Sequence, residues 1–242
     1  MTNARSTLSD MTTVDEYGVL MLRPETEPVS ESEEHARIVD LLFAGLAARF
    51  IEGDVVVTER MAWFPEQQDT KIRLDPDVMV IFGRPKQHRV SYKAWAEDGV
   101  APSLIIEVKS PKDTSHDYDR RLGRAVQYGV TEVLLIDPFA PGGVVVSHLQ
   151  VEPGVGLRTV AVSASTRSPL TVESLGITLT GGDDLVVSDE YGVWLDTVAQ
   201  IQASRSAGNK ARQESARAEQ EAARAERLAQ ALREAGIDPA DI

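Results

Sequence analysis

Glu107 and Lys109 stand two positions apart in the apolar run Leu104-Ile105-Ile106-Glu107-Val108-Lys109. In an extended chain successive side chains alternate faces, so this acid and this amine point the same way. Burying a carboxylate and an ammonium at the end of a core strand is costly unless they are paired or bind something. Thirty positions upstream, Asp77 follows a proline in Leu74-Asp75-Pro76-Asp77 and opens a second apolar run, Val78 to Phe82. Two carboxylates and a lysine converging from neighbouring strands form a divalent-metal site for phosphodiester cleavage. A hard cation such as Mg²⁺ takes one or two carboxylates together with waters and substrate phosphate. It lowers the pKa of a bound water and stabilises developing charge. A nearby amine orients the attacking water or offsets charge on phosphorus. Asp77 and Glu107 are therefore the candidate metal ligands, the backbone carbonyl of Val108 a third, and Lys109 the catalytic cation, with Mg²⁺ or Mn²⁺ as the expected cofactor. The competing structural reading makes Asp77 a turn residue and Glu107 with Lys109 an internal ion pair.

These residues need two adjacent buried strands. Val78–Phe82 and Ser103–Val108 are continuous apolar runs of the kind buried on both faces. Before them, Ser30-Glu31-Ser32-Glu33 resembles a capping box, with Ser30 as N-cap and Glu33 at the third helical position. The helix it opens carries Ile38, Leu41, Leu42, Leu46 and Phe50 at spacings of three and four, and Gly53 is the expected stop. Residues 54–58 and 63–65 read as short strands, 66–73 as a loop and 84–102 as a polar surface excursion. After Ser110-Pro111, residues 113–128 read as a helix whose buried face is Tyr118, Leu122, Ala125 and Val126. Arg120, Arg121 and Arg124 fall elsewhere on it, either as a solvated face or as phosphate contacts. Gly129 suits a helix C-cap. Val133–Ile136 is the next buried strand, and strand, helix, strand implies a parallel crossover. Asp137-Pro138 reads as its end. A hairpin is expected around Pro153-Gly154, with short strands over 169–188.

The chain has 242 residues, 42% apolar, enough for one large domain and an appendage. No run is long and apolar enough to span a membrane, and the polar first residues lack the apolar centre of a signal peptide. There are no cysteines, which excludes disulfides and thiolate metal sites. A cytoplasmic location fits. The net charge of -13 argues against non-specific nucleic-acid binding, which relies on Lys and Arg, although a local basic groove is compatible with it. The histidines at 35, 88, 116 and 148 are scattered, with no metal-binding spacing.

From about Thr197 the composition turns to alanine, glutamate and arginine. Gly208, Ala211, Ser215, Ala218, Ala222, Ala225, Ala229 and Leu232 alternate spacings of three and four, a heptad seam. Alanine buries little area, so the coiled coil is weak; Gly236 and Pro239 end it. The chain thus divides into an N-terminal arm (1–29), a catalytic domain (30–195) and a helical, coiled-coil tail (196–242).

Pro76-Asp77 followed by Glu107-Val108-Lys109 resembles the signature of the PD-(D/E)xK nuclease superfamily. The blocks Ala101–Pro111, Tyr128–Pro138 and Ala225–Pro239, in that order, resemble the Uma-two family of bacterial restriction endonucleases. The resemblance implies an α/β fold: a restriction-endonuclease-like mixed sheet flanked by helices, here with a C-terminal alanine-rich helix added. It implies magnesium-dependent DNA cleavage, with Asp77 and Glu107 as metal ligands and Lys109 as the catalytic lysine. It adds an acid from the first helix, best matched by Glu34 and otherwise by Glu31, and a loose glutamine-tyrosine match at Gln127 and Tyr128. Taken alone, Glu34 is as readily a solvated first-turn acid. A homodimer, joined through the C-terminal helix, is expected. The rival is a non-catalytic binding or oligomerisation module on a nuclease fold.

Overall fold

A computed structural model describes residues 12–14, 20–22, 32–111 and 114–234. Ser30, Glu31, Asp113, Gly236 and Pro239, which figure in the sequence expectations, lie outside the described residues. Two short strands, β1 (Thr12–Val14) and β2 (Leu20–Leu22), pair antiparallel. Helix α1 spans Glu33–Arg49. Its N-cap is Ser32, not Ser30: the Ser32 hydroxyl accepts from the His35 N–H at 3.1 Å. Either serine supplies the same capping chemistry, but only Ser32 directly precedes the first helical residue. The helix stops at Arg49, with Phe50 as C-cap.

The strands that follow are β3 (Val55–Glu59), β4 (Trp63–Phe64), β5 (Val78–Phe82), β6 (Tyr92–Lys93) and β7 (Leu104–Val108). Then come α2 (Ser115–Gln127), β8 (Glu132–Asp137), β9 (Val145–Glu152) and β10 (Gly156–Ser163). Six of these form one mixed sheet in the order β10-β9-β8-β7-β5-β3. Within it β7 and β8 are parallel, joined by the α2 crossover, and the other neighbours are antiparallel.

Alternation along β5 and β7 divides the core. Val78, Val80, Leu104 and Ile106 face α1, packing with Ile38, Leu42 and Leu46. Met79, Ile81 and Ile105 face the opposite way, packing with Leu122 and Ala125 of α2. Each fully buried Leu or Ile stabilises the fold by roughly 1.5–3 kcal/mol, so a one-residue slip of either strand is prohibitive. A second sheet, β11 (Leu170–Val172), β12 (Ile177–Thr180), β13 (Val186–Asp189) and β14 (Gly192–Val193), adds Leu170, Val172, Ile177 and Leu179 to the α1-side core. Gly45 lets Trp194 lie against α1, since a Cβ there falls 2.1 Å from the indole.

Residues 84–102 divide: most of 84–90 is exposed, as their polarity suggests, while most of 91–97 is buried. Tyr92 is fully buried, β6 pairs with β4, and Arg89 and Glu97 neutralise each other with Nε 2.6 Å from Oε1. Pairing is what allows those charges inside.

The chain forms two compact units, Met1–Trp194 and Leu195–Ile242. The second holds α3 (Thr197–Glu234), 38 residues with none buried. Among the described residues no helix is long and apolar enough to cross a membrane.

Candidate active site

The β5–β7 ladder ends at the pair Val78 and Ile106. One step further, the register sets Asp77 beside Glu107. Asp77 Oδ2 accepts from the Val108 N–H at 2.7 Å. The same oxygen lies 3.3 Å from His35 Nε2, and the Asp77 carbonyl accepts from the Arg60 N–H at 3.0 Å. Asp77 is thus held at its carboxylate and at its backbone. His35 is 4% exposed. The Ser32 cap fixes the turn that carries it, so the helix start and the strand start are tied at one point.

No other histidine stands at a metal-binding spacing from His35, so histidine pairing in the sequence does not single it out. The available signal was its position three residues after a capping serine and three before Ile38, on the buried stripe of α1.

Glu107 is buried, and its Oε2 lies 3.6 Å from Arg121 Nε on α2. The Arg121 guanidinium sits 4.4 Å over the Tyr118 ring. Lys109 Nζ is 2.9 Å from Asp137 Oδ2 and 5.7 Å from the same ring. Asp137 is itself oriented, its Oδ1 accepting from the Phe139 N–H at 3.1 Å. The Tyr118 hydroxyl accepts from the Ser110 N–H at 2.9 Å and donates to the Val108 carbonyl at 3.3 Å. One tyrosine therefore fixes the backbone on both sides of Lys109 while its ring faces Lys109 and Arg121.

The structure brings Asp77 to Val108 and His35, Glu107 to Arg121, and Lys109 to Asp137. Asp77 reaches toward the α1 layer and Glu107 toward the α2 layer. Glu34 is engaged elsewhere: it takes Arg37 at 2.7 Å, and Arg37 spans to Asp184 at 2.5 Å. Two carboxylates hold the Arg37 guanidinium charged far above the ordinary range, with the Glu34 hydrogen bond as the largest cause. Gln127 is exposed and Tyr128 is directed to Glu66. Among the described residues no group of three or more acids or histidines is arranged to hold a metal ion.

The sequence pattern of the Uma2 family, described as "Putative restriction endonuclease", matches residues 24–180. No curated protein matches the chain. Among solved structures, a putative nuclease belonging to DUF820 from Anabaena variabilis ATCC 29413 is similar, at 14% identity and a TM-score of 0.45. That similarity covers 65% of this chain and 79% of the other.

Proposed function

The chain belongs to the Uma2 family, whose members are described as putative restriction endonucleases, and from that premise we propose that it is a metal-dependent endodeoxyribonuclease. Asp77, Glu107 and the Val108 carbonyl would hold the ion, which requires the two carboxylates to turn toward each other from His35 on α1 and Arg121 on α2, and Lys109 would serve the nucleophile. One contact carries the reading: Asp77 Oδ2 against the Val108 N–H at 2.7 Å. It joins two sequence blocks thirty residues apart at the acid-x-lysine segment.

The donor set suits the proposed ion. Carboxylate and carbonyl oxygens are the ligands Mg²⁺ and Mn²⁺ prefer, and Mg²⁺ needs only one or two protein carboxylates. When bound, such an ion supplies a lowered pKa for a coordinated water and charge stabilisation at the phosphate.

The protein's own groups do the rest. His35 and the Val108 N–H fix the direction of the Asp77 carboxylate. Asp137 holds the Lys109 ammonium, whose three N–H donors allow it to serve a water or a phosphate oxygen while keeping that partner. Lys109 then orients the attacking water or offsets charge gathering on phosphorus. Tyr118 keeps the Val108 carbonyl and the chain after β7 in register. The first-helix acid, Glu34, stays a peripheral candidate, since it is committed to Arg37. DNA is the proposed substrate. Assembly into a two-fold dimer through the exposed α3 seam belongs to the same proposal, because two sites suit the two strands of a duplex.

A cleavage assay tests this. Plasmid and linear DNA with Mg²⁺ or Mn²⁺ are expected to be cut by the wild type, and not by Asp77→Ala, Glu107→Ala or Lys109→Ala. Intact DNA across metals and DNA forms overturns it. The second reading, a non-catalytic module, draws on the Glu107–Arg121 and Lys109–Asp137 pairs: each candidate charge has an opposite charge within the fold. It expects assembly to depend on α3 and to survive Glu107→Ala.

A further inference from the structure

Beside Glu107 lies a pocket of about 260 Å³, bordered by Arg73, Asp75, Pro76, Glu107, Arg121 and Arg124 over an apolar floor. Three arginines against two acids leave this pocket at +1, in a chain of net charge -13. We propose that it binds a backbone phosphate of the nucleic acid through Arg121 and Arg124, an inference that rests on the nuclease reading above.

The arginines are not equivalent. Arg73 is committed to Asp75, with Nη2 2.7 Å from Oδ1. Arg121 and Arg124 are one helical turn apart on α2, so both project toward the same side. Arg124 is exposed and enters no ion pair among the described residues. Arg121 lies over the Tyr118 ring and already offsets Glu107. A guanidinium carries five N–H donors in a rigid fork. That fork matches two oxygens of a phosphate.

Location gives these features a purpose. An acidic chain repels a polyanion at long range, so its contacts with a nucleic acid must come from local cations. A phosphate held here lies against Glu107, one of the two proposed ligands. Arg121 reduces the repulsion between that phosphate and the carboxylate, and Arg124 supplies net attraction. The pocket thus takes a phosphodiester of the bound strand and aligns it with Glu107. Arg120, on the same helix, does not line the pocket, which separates it from its two neighbours.

The test is the salt dependence of binding. The affinity of the full chain for a short fluorescent DNA duplex is measured in EDTA, without turnover, across a range of NaCl concentrations. Arg124→Ala is expected to reduce the magnitude of the log–log slope by about 0.9, the loss of one phosphate contact. Arg124→Lys is expected to restore most of it. Arg158→Ala, which removes an exposed cation on the β9–β10 hairpin, is expected to leave it unchanged. An Arg124→Ala slope equal to wild type, an equal drop in Arg158→Ala, or no measurable wild-type binding overturns the proposal. The outcomes separate the two claims: DNA cutting with an unaltered Arg124→Ala slope retains the nuclease and removes the subsite. An Arg124-dependent slope without cutting under any metal retains the subsite and removes the nuclease.

Discussion

Lys109 and Asp137 occupy matching positions on parallel neighbours, one residue past the Val108–Ile136 pair, with Nζ 2.9 Å from Oδ2. The Lys109 N–H continues the ladder to the Ile136 carbonyl at 2.8 Å. The two side chains are 31% and 24% exposed, so water reaches the pair. An ion pair so placed contributes only about 0–1 kcal/mol to stability. On the proposed reading its effect is to aim the ammonium.

Asp137→Asn separates aim from stability. The amide oxygen still accepts from Phe139, but the charge that holds Lys109 is gone. Turnover is expected to fall roughly 10- to 100-fold, the range seen when a group that orients a site residue is removed. The unfolding free energy from urea titration is expected to stay within about 1 kcal/mol of wild type. Unchanged turnover would leave the pair a strand-end contact with no part in the chemistry.

Removing the proposed metal ligands and lysine is expected to have a larger effect. Asp77→Asn, Glu107→Gln and Lys109→Ala are each expected to lower metal-dependent cleavage by on the order of 100-fold or more. Circular dichroism is expected to report a preserved fold, since Asp77 and Lys109 flank their strands and Glu107→Gln keeps the size of the one side chain that lies within β7. Cleavage that survives all three substitutions places the reaction elsewhere.

His35→Ala strikes the junction of α1 and β5. It removes a buried imidazole and leaves Asp77 Oδ2 without that neighbour. A cost of about 1–3 kcal/mol in urea denaturation is expected, together with a lower kcat. His35→Asn, which keeps a donor of smaller volume, is expected to recover part of the kcat. A stability loss with normal kcat would make His35 a core residue only.

The main sheet was legible because β5 and β7 are buried on both faces, and burial of that kind leaves an unbroken apolar run. The α1 stripe was legible because Ile38, Leu42 and Leu46 repeat with the helix. The Asp77 and Glu107 strands were expected to be adjacent, and they are. What could not be read was partner choice. Nothing in the sequence says that Glu107 meets Arg121 rather than Lys109, or that Lys109 turns to Asp137, because these contacts depend on where α2 crosses the sheet. The Arg89–Glu97 pair is hidden from the sequence for the same reason. Eight residues apart in a polar stretch, they read as solvated until the fold brings them together inside.

Acid sensitivity follows from carboxylates held below their ordinary range. The Glu97 carboxyl is lowered chiefly by the hydrogen bond from Arg89. That of Asp189 is lowered chiefly by the Trp194 indole N–H, with Nε1 2.9 Å from Oδ2. A group whose folded value lies below its unfolded value stabilises the fold fully above the unfolded value. That contribution disappears as pH falls through the folded value. The urea midpoint is therefore expected to hold down to about pH 5 and to fall below about pH 4, where ordinary carboxylates titrate. Arg89→Met and Trp194→Phe are each expected to lower the neutral-pH midpoint and flatten the acid limb. An acid limb of wild-type steepness in both variants removes these two groups from its cause.

Among the described residues none of α3 is buried, and the seam positions Ala218, Ala222 and Ala225 are exposed. An uncovered seam of small residues gains stability only against another helix, and the helix most available at any concentration is a second copy. Light scattering on the full chain is expected to give twice the monomer mass. Ala218→Glu with Ala225→Glu places like charges on both strands of a symmetric pair and is expected to shift the protein toward monomer. Both positions tolerate glutamate in an isolated helix, so helicity by circular dichroism is expected to persist. A monomer for the wild type, or a dimer that ignores both charges, assigns the helix to some other use. If the dimer sets the spacing of two cutting sites, the double variant nicks one strand more often than it breaks both, and the ratio of nicked to linear plasmid measures that directly.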